Sequence, residues 1–150
     1  MTALVTLADL EERHPAELLT LAADETTGFR DDDRIDAAIA DATAQIRGML
    51  KARYSVADLN RLDEESRSTL RIDAIDITLY RVALSFARSS ERIEERYKAA
   101  IKRLEAIVTG KAALSFAGDD GETRDADASP ADIRIDAPER RFTRRTMNGL

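Results

Sequence analysis

The chain has no cysteine and no tryptophan in its 150 residues. Without a thiol, disulfides, thiolate metal sites and cysteine nucleophiles are excluded. There is one histidine, His14, so no nucleophile–base couple can be built on a Cys–His or His–His arrangement. Aromatics are 5% of the residues, which leaves Leu, Ile, Val and Ala to make the interior. Only three Pro and six Gly interrupt the chain, so helix-favouring residues run on undisturbed. No apolar run approaches the roughly 18 residues needed to cross a bilayer. Residues 1–9 lack the basic-then-apolar order of a secretory signal, and none is expected. Lys111 follows Gly110, but the upstream Gly and the following Ser/Thr of a phosphate-binding loop are missing.

What is present is 43% hydrophobic and 35% charged, enough for an aliphatic core under a heavily charged surface. The length fits one domain with a tail. The net charge of −6 has the wrong sign for gripping a phosphate backbone. The charge is also uneven. Residues 119–139 hold eight acids against Arg124 and Arg134, while residues 140–150 hold four Arg and no acid.

Hydrophobic spacing predicts an all-α fold, a small bundle of about five helices, two short and three long. Thr6 and Asp9 form a capping box that opens a helix to Arg13. Pro15 suits the first turn of a second, over residues 15–23, with Leu18, Leu19 and Leu21 available for burial. Residues 24–32 read as a polar loop around Gly28. Ile35, Ile39, Ala42, Ile46 and Met49 then follow at steps of four and three, one stripe of a helix over residues 33–51. Residues 53–61 read as a connection. Ile75, Leu79, Val82 and Phe86, extended backward by Leu70 and Ile72, mark a helix over residues 63–88. Ser89 and Ser90 offer an N-cap for the last helix, with Ile93, Tyr97, Ala100, Leu104 and Ile107 or Val108 on its stripe. Gly110 is placed to end it.

Beyond Gly110 the periodicity collapses. Residues 1–110 are therefore expected to form the helical domain and residues 111–150 an extended, mostly irregular C-terminal tail, because Asp, Ala, Gly, Ser and Pro bury too little surface to fold alone. Ile133 and Ile135 alternate with charge and could add a short strand to a partner. The tail's end combines Arg140, Arg141, Arg144 and Arg145 with Phe142, Met147 and Leu150. Apolar anchors among guanidinium groups suit docking onto an acidic partner surface; contact with nucleic acid is the competing reading.

Other constellations have plainer readings. His14, before a proline, reads as a helix-end residue. Asp31, Asp32, Asp33 and Asp36 lack the ligand comb and distal Glu of a calcium loop and suit a helix N-terminus instead. Glu91, Arg92, Glu94, Glu95 and Arg96 read as a solvated helix face with a Glu94–Lys98 pair. No catalytic, cofactor-binding or metal-binding residue is singled out.

The order of segments carries a resemblance. Thr6, Leu7, Ala8, Asp9 and Leu10, with Glu17, Leu18 and Leu21, look like the opening of the Mu-like phage and prophage head–tail connector (adaptor, head-completion) family. Ile35 to Ala42 with Ile46, Gly48, Leu50, Arg53 and Tyr54 resemble its central block. Asp73 to Ile77 with Tyr80 and Arg81 resemble its next helix. Arg96, Tyr97, Ala100, Leu104 and Gly110 to Leu114 resemble its closing helix, and Arg141, Phe142, Thr143 and Arg144 its ending. His14-Pro15 departs from the family's more usual Phe-Gly, and residues 58–63 lack the prolines common there. The resemblance implies a virion structural subunit without catalysis or cofactor, assembled in the bacterial host cytoplasm. It implies a closed ring of about a dozen copies beneath the portal protein, linking the DNA-filled head to the next tail-side connector or tail terminator. DNA would pass through the ring without specific binding, and no membrane is involved.

Two rival classes are a small DNA-packaging protein of the terminase small-subunit type and a helical enzyme using carboxylates. The first needs a basic recognition helix, and none of the predicted helices is clearly basic. The second needs acids facing the core, and the acids fall mostly outside the apolar stripes. The charge balance predicts weak or no binding to random duplex DNA at about 150 mM salt. A fluorescence-anisotropy titration reaching submicromolar affinity would overturn this and favour the packaging reading.

Overall fold

The computed structural model describes residues 4–24 and 26–117 of the chain, and these form six helices in the order α1 (Leu7–Arg13), α2 (Pro15–Ala22), α3 (Asp32–Leu50), α4 (Val56–Asn60), α5 (Glu64–Ser85) and α6 (Glu91–Val108). The helix starts follow local chemistry. Thr6 and Asp9 close the expected capping box, Asp31 caps α3 through the Arg34 amide, and Asp63 caps α5 through the Ser66 amide. Ser90 occupies the N-cap of α6 without a side-chain bond to the helix. Gly110 ends α6 at φ 81°, and a Cβ there would stand 3.3 Å from the Arg53 guanidinium, so both conformation and space call for glycine.

The sixth helix corrects the sequence reading. Residues 53–61 were expected to be a connection, yet Ser55 and Asp58 form a second capping box and Val56–Asn60 is helical. One turn with one buried residue, Leu59, is too short to register as a periodic pattern. At the far end of α5 the helix stops at Ser85 rather than 88, because Ala87 takes φ 52° and the Arg88 amide donates back to the Ala83 carbonyl at 2.7 Å. Ala87 does what glycine ordinarily does at such a stop, at a cost of about 1 kcal/mol.

α5 is the axis of the bundle. α2, α3 and α6 all pack on it, and its residues 73–79 are buried without a break. The predicted stripes reach the core at Ile35, Ile39, Ala42 and Ile46 on α3, at Leu70, Ile75, Leu79 and Val82 on α5, and at Ile93, Ala100, Leu104 and Ile107 on α6. Met49, Phe86 and Tyr97 pack against its edge. Two assignments were wrong: Ile72 and Leu19 are exposed. Each adjoins a true core position on a helix whose buried arc lies to one side of it, Asp73 for the first and Leu18 for the second.

Residues 111–117, placed by sequence at the start of the tail, lie along the body. Leu62 and Phe116 form an antiparallel bridge, the Ala117 amide donates to the Arg61 carbonyl at 2.7 Å, and Leu114 is buried. Arg53 fastens the turn before them by donating to the carbonyls of Ile107 at 2.6 Å and Ala112 at 3.2 Å. The chain thus leaves the described body at the α4 end.

Leu79 is 1% exposed at the centre of this packing. Leu79→Asp buries an unpaired charge and should unfold the domain, whereas Ile72→Asp should leave the thermal midpoint within a few degrees of wild type, as measured by circular dichroism. Equal melting of the Leu79→Asp variant and wild type would contradict the packing.

Candidate functional site

The strongest concentration of charge inside the body is a network joining α2, α5 and α6. Asp73 and Asp76 sit one turn apart on α5, 1% and 9% exposed. Arg96 and Arg103, two turns apart on α6, meet them. Arg96 donates to Asp76 Oδ1 from Nε at 2.9 Å and from a terminal nitrogen at 2.7 Å, and to Glu17 Oε2 at 3.0 Å. Arg103 Nε donates to Asp73 Oδ1 at 2.7 Å, and a terminal nitrogen lies 3.4 Å from Asp76 Oδ2. On α2, Glu17 also accepts from Arg92 at 3.2 Å. His14 completes the chain, with Nδ1 3.2 Å from Glu17 Oε2 and Nε2 3.2 Å from Arg96. In that geometry Nδ1–H can donate to Glu17 while Nε2 accepts from Arg96.

Three carboxylates face three guanidinium groups, so the network is neutral, and helix geometry explains the fit. Residues three apart on α5 share a face, and residues seven apart on α6 share a face. Burial works against the charge on Arg96, but its hydrogen bonds to the Asp76 and Glu17 carboxylates, with their negative charge, outweigh burial and hold the proton more tightly than usual. Asp73 shows the opposite balance. Burial pushes its carboxyl above the ordinary value, Arg103 only partly restores it, and Asp76 adds repulsion. Asp73 Oδ2 has no hydrogen-bond partner, while Arg103 is itself half exposed. A second polar seam lies between α3, α5 and α6. There Arg81 donates to Gln45 Oε1 at 2.7 Å, Gln45 Nε2 donates to the Tyr97 hydroxyl at 3.3 Å, and Tyr97 stacks on Tyr80 at 4.1 Å.

Several sequence readings are corrected here. The face of α6 taken as solvated is only partly so: Glu91, Arg92 and Glu95 are exposed, but Arg96 turns inward to Asp76. The acids were placed mostly outside the apolar stripes, and Asp73 and Asp76 do lie off the Ile75–Leu79–Val82 stripe, yet both are buried because neighbouring helices cover that side of α5 as well. The available signal was two acids inside an otherwise apolar stretch, Asp73-Ala74-Ile75-Asp76-Ile77, facing two arginines of matching helical phase. His14 is at a helix end as expected, between α1 and α2, and is also a member of the network. Asp31 and Asp32 have structural duties, capping α3 and pairing with Arg30. Among the described residues no group of three or more His, Asp or Glu is arranged to hold a metal ion. No helix among them is long and apolar enough to cross a membrane. The docking candidates Arg140, Arg141, Phe142, Arg144, Arg145, Met147 and Leu150 lie outside the described residues.

The fold and the network define a small all-α protein whose interior charges hold helices to one another. The family model described as Bacteriophage Mu, Gp36 matches residues 5–131, and the chain belongs to that family of Mu-like phage proteins. The match covers all six helices and stops short of Arg141 to Arg144. Comparison with curated proteins finds no match.

The raised pKa of Asp73 fixes a sign. A carboxyl raised above its unfolded value contributes stability at low pH, and that contribution is lost as pH rises through the folded value. Asp73→Asn removes this titration. The stability of the variant relative to wild type should therefore increase as the pH is raised from about 4 to 7, whatever the offset between them. Urea melts at several pH values check this, and a relative stability that falls with pH would contradict it. Arg96→Met, which strips Asp76 and Glu17 of their shared partner, should cost about 3 kcal/mol at neutral pH.

Proposed function

We propose that the protein is the head–tail connector, or adaptor, subunit of a Mu-like phage or prophage. In this reading copies form a ring beneath the portal, receive the next tail-side protein, and let DNA pass without catalysis. The observation that carries it is the family match over residues 5–131, which runs the length of the body and on into the tail. Two physical features support it. The body is fastened internally by ion pairs across three helices, as a rigid ring element would need. The net charge of the whole chain, −6, suits a channel that should not hold the DNA it conducts. The docking role falls to the C-terminal residues, where Arg140, Arg141, Arg144 and Arg145 surround Phe142, Met147 and Leu150.

The packaging-protein alternative draws only on that same arginine cluster. Deleting residues 140–150 should leave the melting temperature of the body nearly unchanged, because the described core is built from residues 4–117 themselves. The same deletion should abolish incorporation into the connector, leaving heads without tails when the phage or prophage is induced. Normal tailed particles from the truncated protein would overturn the docking role.

A further inference from the structure

Phe29 is the most exposed large apolar side chain among the described residues, at 78%, in a chain with only four Phe and no Trp. Its placement is built rather than incidental. Asp24 Oδ1 accepts from the amides of Thr26 and Thr27 at 2.8 and 2.9 Å, and Gly28 takes φ 70°. The Asp24 amide donates to the Phe29 carbonyl at 2.8 Å, and Ala23 and Arg30 bridge the base of the loop. Arg88 donates to the carbonyls of Leu21 and Ala23, so the loop is tied to the end of α5, where Leu84 is also exposed, at 53%. A fixed loop holding an aromatic ring in solvent has the form of an interface anchor. Asp33 and Asp36, exposed on the first turns of α3, carry no ion pair among the described residues and make the surroundings acidic.

We propose that the occupant of this loop is the chain's own C-terminal segment, residues 140–150, an inference that rests on the docking role given to that segment above. Charge complementarity selects it: it is the stretch with four Arg, no acid and three apolar anchors, and it meets an acidic surface carrying an unpaired phenylalanine. Length permits it. The chain leaves the described body at Ala117, near α4, while the Phe29 loop is at the other end of the bundle. α5 is about 33 Å long, and the 22 residues from 118 to 139 can reach up to about 70 Å, enough for the far end of the same body or of an adjacent one.

The absence of native cysteine makes a direct test possible. Full-length protein carrying Thr26→Cys and Asn148→Cys is oxidised mildly, and disulfide formation is followed on non-reducing gels. Capture should be at least ~10-fold faster than in a control pairing Asn148→Cys with Ala44→Cys, an exposed site on the flank of α3, because docking raises the local concentration of the two thiols. Adding Phe29→Ala should bring the rate down to that of the control. Cross-linked oligomers place the segment on an adjacent copy, and a cross-linked monomer places it on the same body; both support the loop as acceptor, and the second counts against bridging between subunits. Equal rates at the two sites, or a rate unaffected by Phe29→Ala, would overturn the inference. The docking role itself would survive that result if deletion of residues 140–150 still prevented tail joining.

Discussion

Asp73 and Asp76 enter the fold on α5, the helix on which α2, α3 and α6 pack, and two carboxylates one turn apart cannot be buried there unless cations come with them. Desolvation alone would cost several kcal/mol per ion. Arg96 and Arg103 meet that requirement, and in doing so they fix more than charge. A guanidinium that donates to Asp76 from two nitrogens has one rotational and one axial position, so α6 cannot slide or turn on α5 without leaving carboxylates unpaired. Glu17 extends the same constraint to α2. Aliphatic packing can be satisfied by more than one register, especially with few aromatics to give it shape. The ion pairs discriminate among those registers, which is the best attested use of buried charge.

The constraint is unevenly shared. Arg96 serves two carboxylates and His14, whereas Asp73 keeps one oxygen without a partner and depends on an arginine that is half in water. The half of the network nearer α2 is thus better compensated than the half nearer the end of α6. At that end Arg53 and the buried Leu114 do the fastening instead, one by backbone carbonyls and the other by apolar contact.

The sequence reveals most of the helices because each long one repeats its apolar residues at three and four, a signal that survives without knowledge of neighbours. The capping box at Thr6, the N-cap near Ser90 and the stop at Gly110 are equally local, and all three stand where their residues put them. What the sequence conceals is relational. α4 is a single turn, so its period never repeats. Asp73 and Asp76 look like surface acids until α6 is known to bring Arg103 and Arg96 to them from 30 and 20 residues away. Phe29 looks like a loop residue in either case, and only its exposure on a fastened turn distinguishes it. Stripes identify which side of a helix is covered, but a central helix such as α5 is covered nearly all round, and there a stripe understates the burial.

Charge also bears on the docking proposed for the residues beyond the body. Inside, acids and arginines cancel in pairs, so the net negative charge of the chain is carried at the surface and by residues 119–139. Copies brought side by side would therefore repel, and at physiological salt that repulsion acts within about 8 Å, the range of direct contact. A screened interaction of such short reach cannot be offset from a distance. For copies to assemble as proposed above, opposite charge would have to be carried to the acidic surface, and residues 140–150 are the stretch of the chain with four Arg and no acid. The intervening residues 119–139, an acidic spacer with eight acids against Arg124 and Arg134, would themselves attract that segment. In the docking proposed above, the spacer would be a competing ligand as well as a tether. A surface that is to capture the basic segment must offer something the spacer lacks. The spacer has acids in plenty but no aromatic side chain; under the docking proposed above, the exposed Phe29 would supply that difference.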